Sequence, residues 1–168
     1  GCGRYTLEAI QPVKGVNVTA TLRDLDPDNL VLAEQHAQTL NVPGITTTAG
    51  DAFDADALAR ITPPPDVAVV SGLYELFPEN APILASLKGL AEGLSENGYL
   101  IYTGQPWHPQ VEMIARTLPS HRGRSWVMRR RTQAELDQLV RAAGFEKVDS
   151  LVDEWGIFTV SMARKVSR

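Results

Sequence analysis

The chain has 168 residues, 43% hydrophobic and 21% charged, with a formal net charge of −4. That balance excludes a disordered, collagen-like or disulfide-stapled chain and fits one domain with a real core. The charge is uneven: six arginines and no acidic residue lie between Arg116 and Arg131, while the rest holds ten basic against twenty acidic residues. An acidic body is a poor general partner for nucleic acid, whereas the arginine segment suits either a local anionic group or a solvated, salt-bridged surface. No apolar run approaches the roughly 18–20 residues that span a bilayer. The start, Gly1 to Tyr5, has neither the basic nor the apolar region of a signal peptide. Cys2 is the one cysteine, which excludes an internal disulfide and predicts a reducing, cytoplasmic setting.

In chain order, Tyr5 to Ile10 reads as a helix and Val16 to Leu22 as a strand. Asp26-Pro27 opens the next helix, with Asp at the cap and Pro at the first position. Leu30, Ala33, Ala37 and Leu40 form its buried face, and Asn41, Pro43 and Gly44 end it. Ile45 to Thr48 is a short strand, and Ala55 to Ile61 a short helix stopped before three prolines. Val67 to Val70 is a continuous apolar run, the pattern of a strand buried on both faces. Ile83 to Leu94 carries a helical stripe, and Asn97-Gly98 turns the chain into the strand Tyr99 to Thr103. Val111 to Leu118 is another helix. Thr132 and Glu135 form a capping box for a helix ending at Gly144. Val148 to Val152 and Ile157 to Ala163 close the chain as an antiparallel pair joined by Asp153-Glu154-Trp155-Gly156.

Strands alternating with helices predict an α/β domain over residues 1–168: a Rossmann-like, mostly parallel sheet with helices on both faces and a C-terminal antiparallel strand pair. A Gly-x-Gly turn such as Gly1-Cys2-Gly3 normally follows a strand and opens a helix. The expectation is therefore an N-terminally truncated segment of a longer chain, with the first strand missing and with low stability on its own.

Ligands of open α/β sheets bind at the carboxyl ends of the strands. Gly1, Cys2 and Gly3 form a tight turn there, where small residues let backbone approach a ligand. Asp24, 21 residues after Gly3, is placed to accept from both hydroxyls of a ribose. Asp51 is placed to accept from an exocyclic amino group such as that of adenine, with Leu25 and Phe53 offering apolar faces to the ring. Ser71 and Gly72 leave room beside the sheet, and Tyr74 and Glu75 stand nearby as candidates for proton transfer or substrate orientation. The dinucleotide fingerprint asks for a third glycine where this chain has Thr6. An adenosine-bearing ligand without phosphates fits better.

The run of Gly1-Cys2-Gly3, Leu22-Arg23-Asp24-Leu25-Asp26-Pro27 and Gly50-Asp51-Ala52-Phe53, with Ala142-Ala143-Gly144-Phe145 near the end, resembles the class I S-adenosylmethionine-dependent methyltransferases. More narrowly, the stretches Tyr102 to Gln110, Trp126 to Arg131 and Asp153 to Gly156 resemble a family of bacterial methyltransferases often fused behind an α/β-hydrolase domain. The resemblance implies strand order 3-2-1-4-5-7-6 with strand seven antiparallel. It implies S-adenosyl-L-methionine as cofactor, with Gly1 and Gly3 against its methionine part and Asp24 on its ribose. Asp51 and Ala52 would bind the adenine, and Ser71 and Gly72 would lie beside the sulfonium. Many relatives carry a third glycine where this chain has Tyr5.

Methyl transfer asks the protein to align the nucleophile and exclude water, and a general base is needed only if the nucleophile must lose a proton. His108, in a Pro-Trp-His-Pro loop, is the first candidate base, with Tyr74 and Glu75 behind it. Trp107 and Trp155 are candidate walls of a substrate pocket, and Arg131, with Arg129 and Arg130, a candidate anchor for an anionic small-molecule acceptor. His36, His108 and His121 are widely separated, and no zinc-type spacing exists, so no metal is expected. No Gly-x-Ser-x-Gly elbow is present, so the segment is not itself a hydrolase. Two other classes remain open: a non-catalytic module that kept the cofactor fold for regulation or assembly, and a nicotinamide-dependent oxidoreductase.

Overall fold

The computed structural model describes residues 1–120 and 123–166, so His121 and Arg122 of the arginine segment lie outside the described residues. The chain divides into two compact units, residues 1–54 and 55–168.

The first unit holds α1 (Arg4–Ile10), β1 (Ala20–Asp24), α2 (Pro27–Thr39) and β2 (Ile45–Ala49). β1 and β2 are parallel, with Ala20 opposite Ile45 and Asp24 opposite Ala49. The strand expected from Val16 therefore starts later and runs to Asp24. Val16 is 69% exposed, and the ladder begins only where Ile45 supplies a partner. Asp26 caps α2 as expected, its side chain accepting from the Asp28 N–H at 3.0 Å, with Pro27 at the first position. Leu7, Leu22, Ala33, Ala37 and Val42 are buried together, with Ile10, Leu40 and Ile45 packed against them.

The second unit holds α3 (Ala55–Ala59), β3 (Val67–Val70), a 3-10 turn (Tyr74–Leu76), α4 (Asn80–Gly93), β4 (Tyr99–Gly104), α5 (Val111–Thr117), α6 (Gln133–Ala142), β5 (Phe145–Val152) and β6 (Thr159–Lys165). Its sheet has the order β3-β4-β6-β5. β3 and β4 are parallel, and β6 is antiparallel to both of its neighbours. An antiparallel last strand between the two before it is the arrangement the resemblance implies. The Val67–Val70 run forms β3 within the expected bounds but is not buried on both faces. Val67 and Val69 are 48% and 45% exposed, because alternate side chains of a strand point to opposite faces. The other face carries the fully buried Leu100, Tyr102 and Ala163.

α6 fastens onto that inner face through side chains. Thr159 Oγ1 donates to Gln133 Oε1 at 2.7 Å and Tyr102 Oη to Asp137 Oδ1 at 3.1 Å. Only half of the capping box closes: Thr132 Oγ1 accepts from the Glu135 N–H at 3.1 Å. The Glu135 carboxylate instead accepts from Asn80 and Arg129. α3 and α4 meet where α4 has no side chain to keep them apart. A Cβ at Gly89 would lie 2.5 Å from the Ala55 carbonyl oxygen, and one at Gly93 would collide with that of Leu58. Gly89→Ala should therefore destabilise the protein by about 1–3 kcal/mol, read as a lower midpoint of urea unfolding. An unchanged midpoint would contradict the close helix packing.

Candidate functional site

In the first unit, the end of β1 and the glycine turn come together. Gly3 has φ +66°, and a Cβ there would lie 2.6 Å from Leu22 Cδ1. Glycine alone lets the turn close onto the strand that carries Asp24. One Asp24 oxygen, Oδ1, is held by the chain: it accepts from the Asp26 N–H at 2.8 Å and from Asn29 Nδ2 at 3.2 Å. The other, Oδ2, faces the Gly1 end of the glycine turn. Burial works against the Asp24 charge, and the hydrogen bonds from Asp26 and Asn29 support it. Leu25, the next residue, is 67% exposed.

The loop after β2 repeats the device. Asp51 Oδ1 accepts from the Phe53 N–H at 2.8 Å, which fixes the carboxylate at the turn, and Asp51 is exposed while Ala52 and Phe53 are half-buried. Gly50 donates its N–H to the Asp24 carbonyl at 3.0 Å, extending the β1–β2 ladder to the loop. Gly1, Gly3 and Asp24 are thus brought together, and Asp51 leaves the neighbouring strand end. Cys2 is half-buried with a free thiol.

In the second unit, the segment after β3 turns at Ser71-Gly72. Both residues are exposed, and the Gly72 N–H donates to Thr103 Oγ1 at 2.8 Å, tying this turn to the end of β4. Tyr74 turns inward: its hydroxyl pairs with Ser86 Oγ at 3.0 Å, and burial pushes its phenol up to about 12. Glu75 is only 8% exposed, and its Oε2 has no hydrogen-bond partner. Burial raises the Glu75 carboxyl above its usual range, against its own backbone N–H and the nearby charges of Arg130 and Arg131. Glu75 opens on a small cavity of about 10 Å³ shared with Thr103, Gly104, Gln105, Arg131 and Leu136, room for about one water.

Three arginines of the segment, Arg129, Arg130 and Arg131, are engaged with the chain, while Arg116 and Arg124 are exposed. Arg131 is 5% exposed and holds the chain together: its guanidinium donates to Asn80 Oδ1 and to the carbonyls of Tyr74, Phe77, Pro78 and Glu79. The expected anchor for an anion is thus engaged with backbone instead. Arg129 donates to the Pro78 carbonyl and to Glu135, and Arg130 to Gln105 and Met128. His108 uses Nδ1 to accept from the Gln110 N–H at 3.0 Å at the start of α5. Trp107 and Trp155 are 54% and 71% exposed, and neither lines the Glu75 cavity. Sequence reasoning did not single out Gln105. It follows β4 directly, and no spacing rule marks it.

Residues 1–165 match the family described as "Putative methyltransferase". The chain belongs to that family. It is 50% identical over 165 residues to the uncharacterized protein YnbC of Escherichia coli K12, covering 97% of this chain and 28% of that one. Among solved structures it is similar to an S-adenosylmethionine-dependent methyltransferase of Methanosarcina mazei, at TM-score 0.71 and 20% identity, covering 100% of this chain and 90% of that one. It is also similar to magnesium protoporphyrin IX methyltransferase of Synechocystis, solved with bound S-adenosylhomocysteine, at TM-score 0.70 and 16% identity, covering 98% of this chain and 70% of that one. At such identities the structural likeness establishes the Rossmann-like methyltransferase fold. No helix among the described residues is long and apolar enough to cross a membrane.

The orphaned Glu75 carboxyl has a consequence for stability. Its pKa is raised in the folded chain, so its contribution is fully present below its unfolded value and is lost as pH rises through the folded value. Glu75→Gln should melt above the wild type at pH 8, with the difference shrinking toward pH 4. A difference that is constant with pH would contradict a buried, titrating Glu75.

Proposed function

We propose that this chain acts as one S-adenosylmethionine-dependent methyltransferase domain, transferring a methyl group to a small-molecule acceptor. The observation that carries the reading is Asp24: a carboxylate at the end of β1, with one oxygen fixed by Asp26 and Asn29 and the other in reach of the Gly1–Gly3 turn. Its chemistry fits the ribose of the cofactor, whose two hydroxyls are donors in search of a fixed acceptor. Asp51 has one oxygen held by the Phe53 N–H, and Oδ2 suits the amino group of an adenine. The exposed Leu25 and the half-buried Phe53 offer the apolar surface that ring needs. Gly1 to Gly3 are assigned to the methionine part by the family resemblance.

Bound S-adenosylmethionine supplies a methyl group on a positive sulfur that leaves as a neutral thioether. The chain's share is to hold the donor and position the acceptor. Where the acceptor must lose a proton, His108 and Glu75 are the side chains suited to take it, whereas the Tyr74 phenol is already paired with Ser86 in the core. The chain spans 28% of the length of YnbC, and we assign an α/β-hydrolase domain as its companion on the strength of the resemblance. We propose a cytoplasmic setting, a reading supported by Cys2 being a free thiol.

Calorimetric titration of the protein with S-adenosylhomocysteine and with NADH tests the reading. The first should bind and the second should not. Asp24→Ala should weaken S-adenosylhomocysteine by about 2–3 kcal/mol, roughly 30- to 150-fold, and Asp51→Ala by less. Tight binding of NADH alone, or an unchanged affinity in Asp24→Ala, would contradict it.

A further inference from the structure

The sheet of the second unit is dressed on one face only. Its inner face carries the buried Leu100, Tyr102 and Ala163 and is fastened to α6. The ladder fixes what the outer face carries, because residues directly opposite one another in a sheet point to the same side. Val67, Tyr99, Arg164 and Glu146 form one row across β3, β4, β6 and β5. Val69, Ile101, Met162 and Asp149 form the next, and Thr103, Val160 and Leu151 follow in a third. The apolar members of these rows are exposed or half-buried. They lie side by side, and charge is confined to one corner, at Arg164, Glu146 and Asp149.

Such a face is at odds with the strands that make it. Sheets built on parallel strands, such as β3 and β4, are as a rule covered on both faces. A strand face meant for water can be polar at no cost to its ladder, as β2 shows, where Thr46 and Thr48 fill exposed positions. The outer positions of β3 are valines instead, and a contiguous apolar patch on a protein surface marks a contact. The cover must therefore be broad and apolar. YnbC, 50% identical to this chain, is matched over 28% of its own length, so most of that relative lies outside the matched span. A polypeptide of that size can supply a second layer. A helix is the element that fits, since one apolar stripe lies across several strands of a sheet. The charged corner asks for a carboxylate over Arg164 and a lysine or arginine over Glu146 and Asp149.

We propose that the outer face of β3, β4, β6 and β5 is a docking surface, and that its occupant is an amphipathic helix of the polypeptide that, in YnbC, lies outside the span matched by this chain. Val69, Ile101, Met162 and Val160 form the centre of the contact, and Arg164, Glu146 and Asp149 set the register of the helix upon it. The inference is independent of the methyl-transfer reading, because it concerns the face of the sheet and not the ends of its strands.

The test places a thiol on the face. Val160→Cys is made in the 168-residue protein and in a chimera in which residues 1–165 replace the matching span of YnbC. The rate of maleimide labelling is read on the peptide that carries the new thiol, by mass spectrometry. Val160→Cys should label freely in the 168-residue protein and about ten-fold or more slowly in the chimera, where the reagent enters only through local opening. Glu154→Cys, on the exposed turn between β5 and β6, should label equally in both. Adding Val69→Asp to the chimera should bring the Val160→Cys rate back toward that of the 168-residue protein. Equal rates for Val160→Cys in both proteins would overturn the inference, as would a rate in the chimera that Val69→Asp leaves unchanged. Slow labelling of the 168-residue protein would also overturn it, by pointing to a second copy if the rate falls with protein concentration and to its own residues if it does not. So would a slowing of Glu154→Cys to match, or a chimera that fails to fold while YnbC and the 168-residue protein do.

Discussion

The closure of the glycine turn onto β1 is the constraint on which the first unit depends. Gly3 lies in the left-handed region and packs against Leu22, with no room for a Cβ. Leu22 is at once a strand residue and part of the small core with Leu7, Ala33, Ala37 and Val42. The same contact therefore buries the strand, seats α1 through Leu7, and brings the Gly1 backbone to Asp24 two residues further on. A side chain at position 3 would disturb the core and the carboxylate together. Asp24 is then aimed from two directions, by the Asp26 N–H and by Asn29. A carboxylate fixed in this way loses little freedom when a diol arrives.

The second unit solves a different problem with charge. A segment rich in arginine lies next to the loop that leads into α4, and that loop exposes carbonyls that no helix or strand satisfies. Arg131 gathers four of them. Buried carbonyls demand donors, and a guanidinium supplies five in a rigid fork. The backbone around Glu75 is fixed by this means, and the one carboxyl oxygen left over faces a cavity of the size of a water. Stability is given up at that position, since a buried carboxyl oxygen without a partner costs its desolvation.

The order of elements was largely legible in the amino-acid sequence, because period and punctuation agreed. Asp26-Pro27, Thr132 and the Asn97-Gly98 turn each fixed a boundary by a local hydrogen bond or a backbone preference. What failed to show was whatever depended on partners distant in sequence. The bounds of β1 were set by where Ile45 begins its ladder. The apolar run of β3 could not reveal that one of its faces is open. Glu135 looked like half of a capping box, yet Asn80 and Arg129 claimed its carboxylate. The two carboxylates proposed to bind the nucleoside were readable, since each follows a strand at a set distance from a glycine. The arginines left two roles open for the opposite reason: Arg116 and Arg129 form the ion pairs of a salt-bridged surface, but a run of like charge in sequence says nothing about which backbone carbonyls Arg131 will meet. Gln105 was invisible for the same reason.

The central claim is that Asp24 and Asp51 grip the two ends of one nucleoside. A crystal structure of the protein with S-adenosylhomocysteine tests it most directly. The account predicts both ribose hydroxyls within hydrogen-bond distance of the Asp24 carboxylate and the adenine amino group at the Asp51 loop. A nucleoside bound elsewhere, with both carboxylates facing solvent, would contradict it.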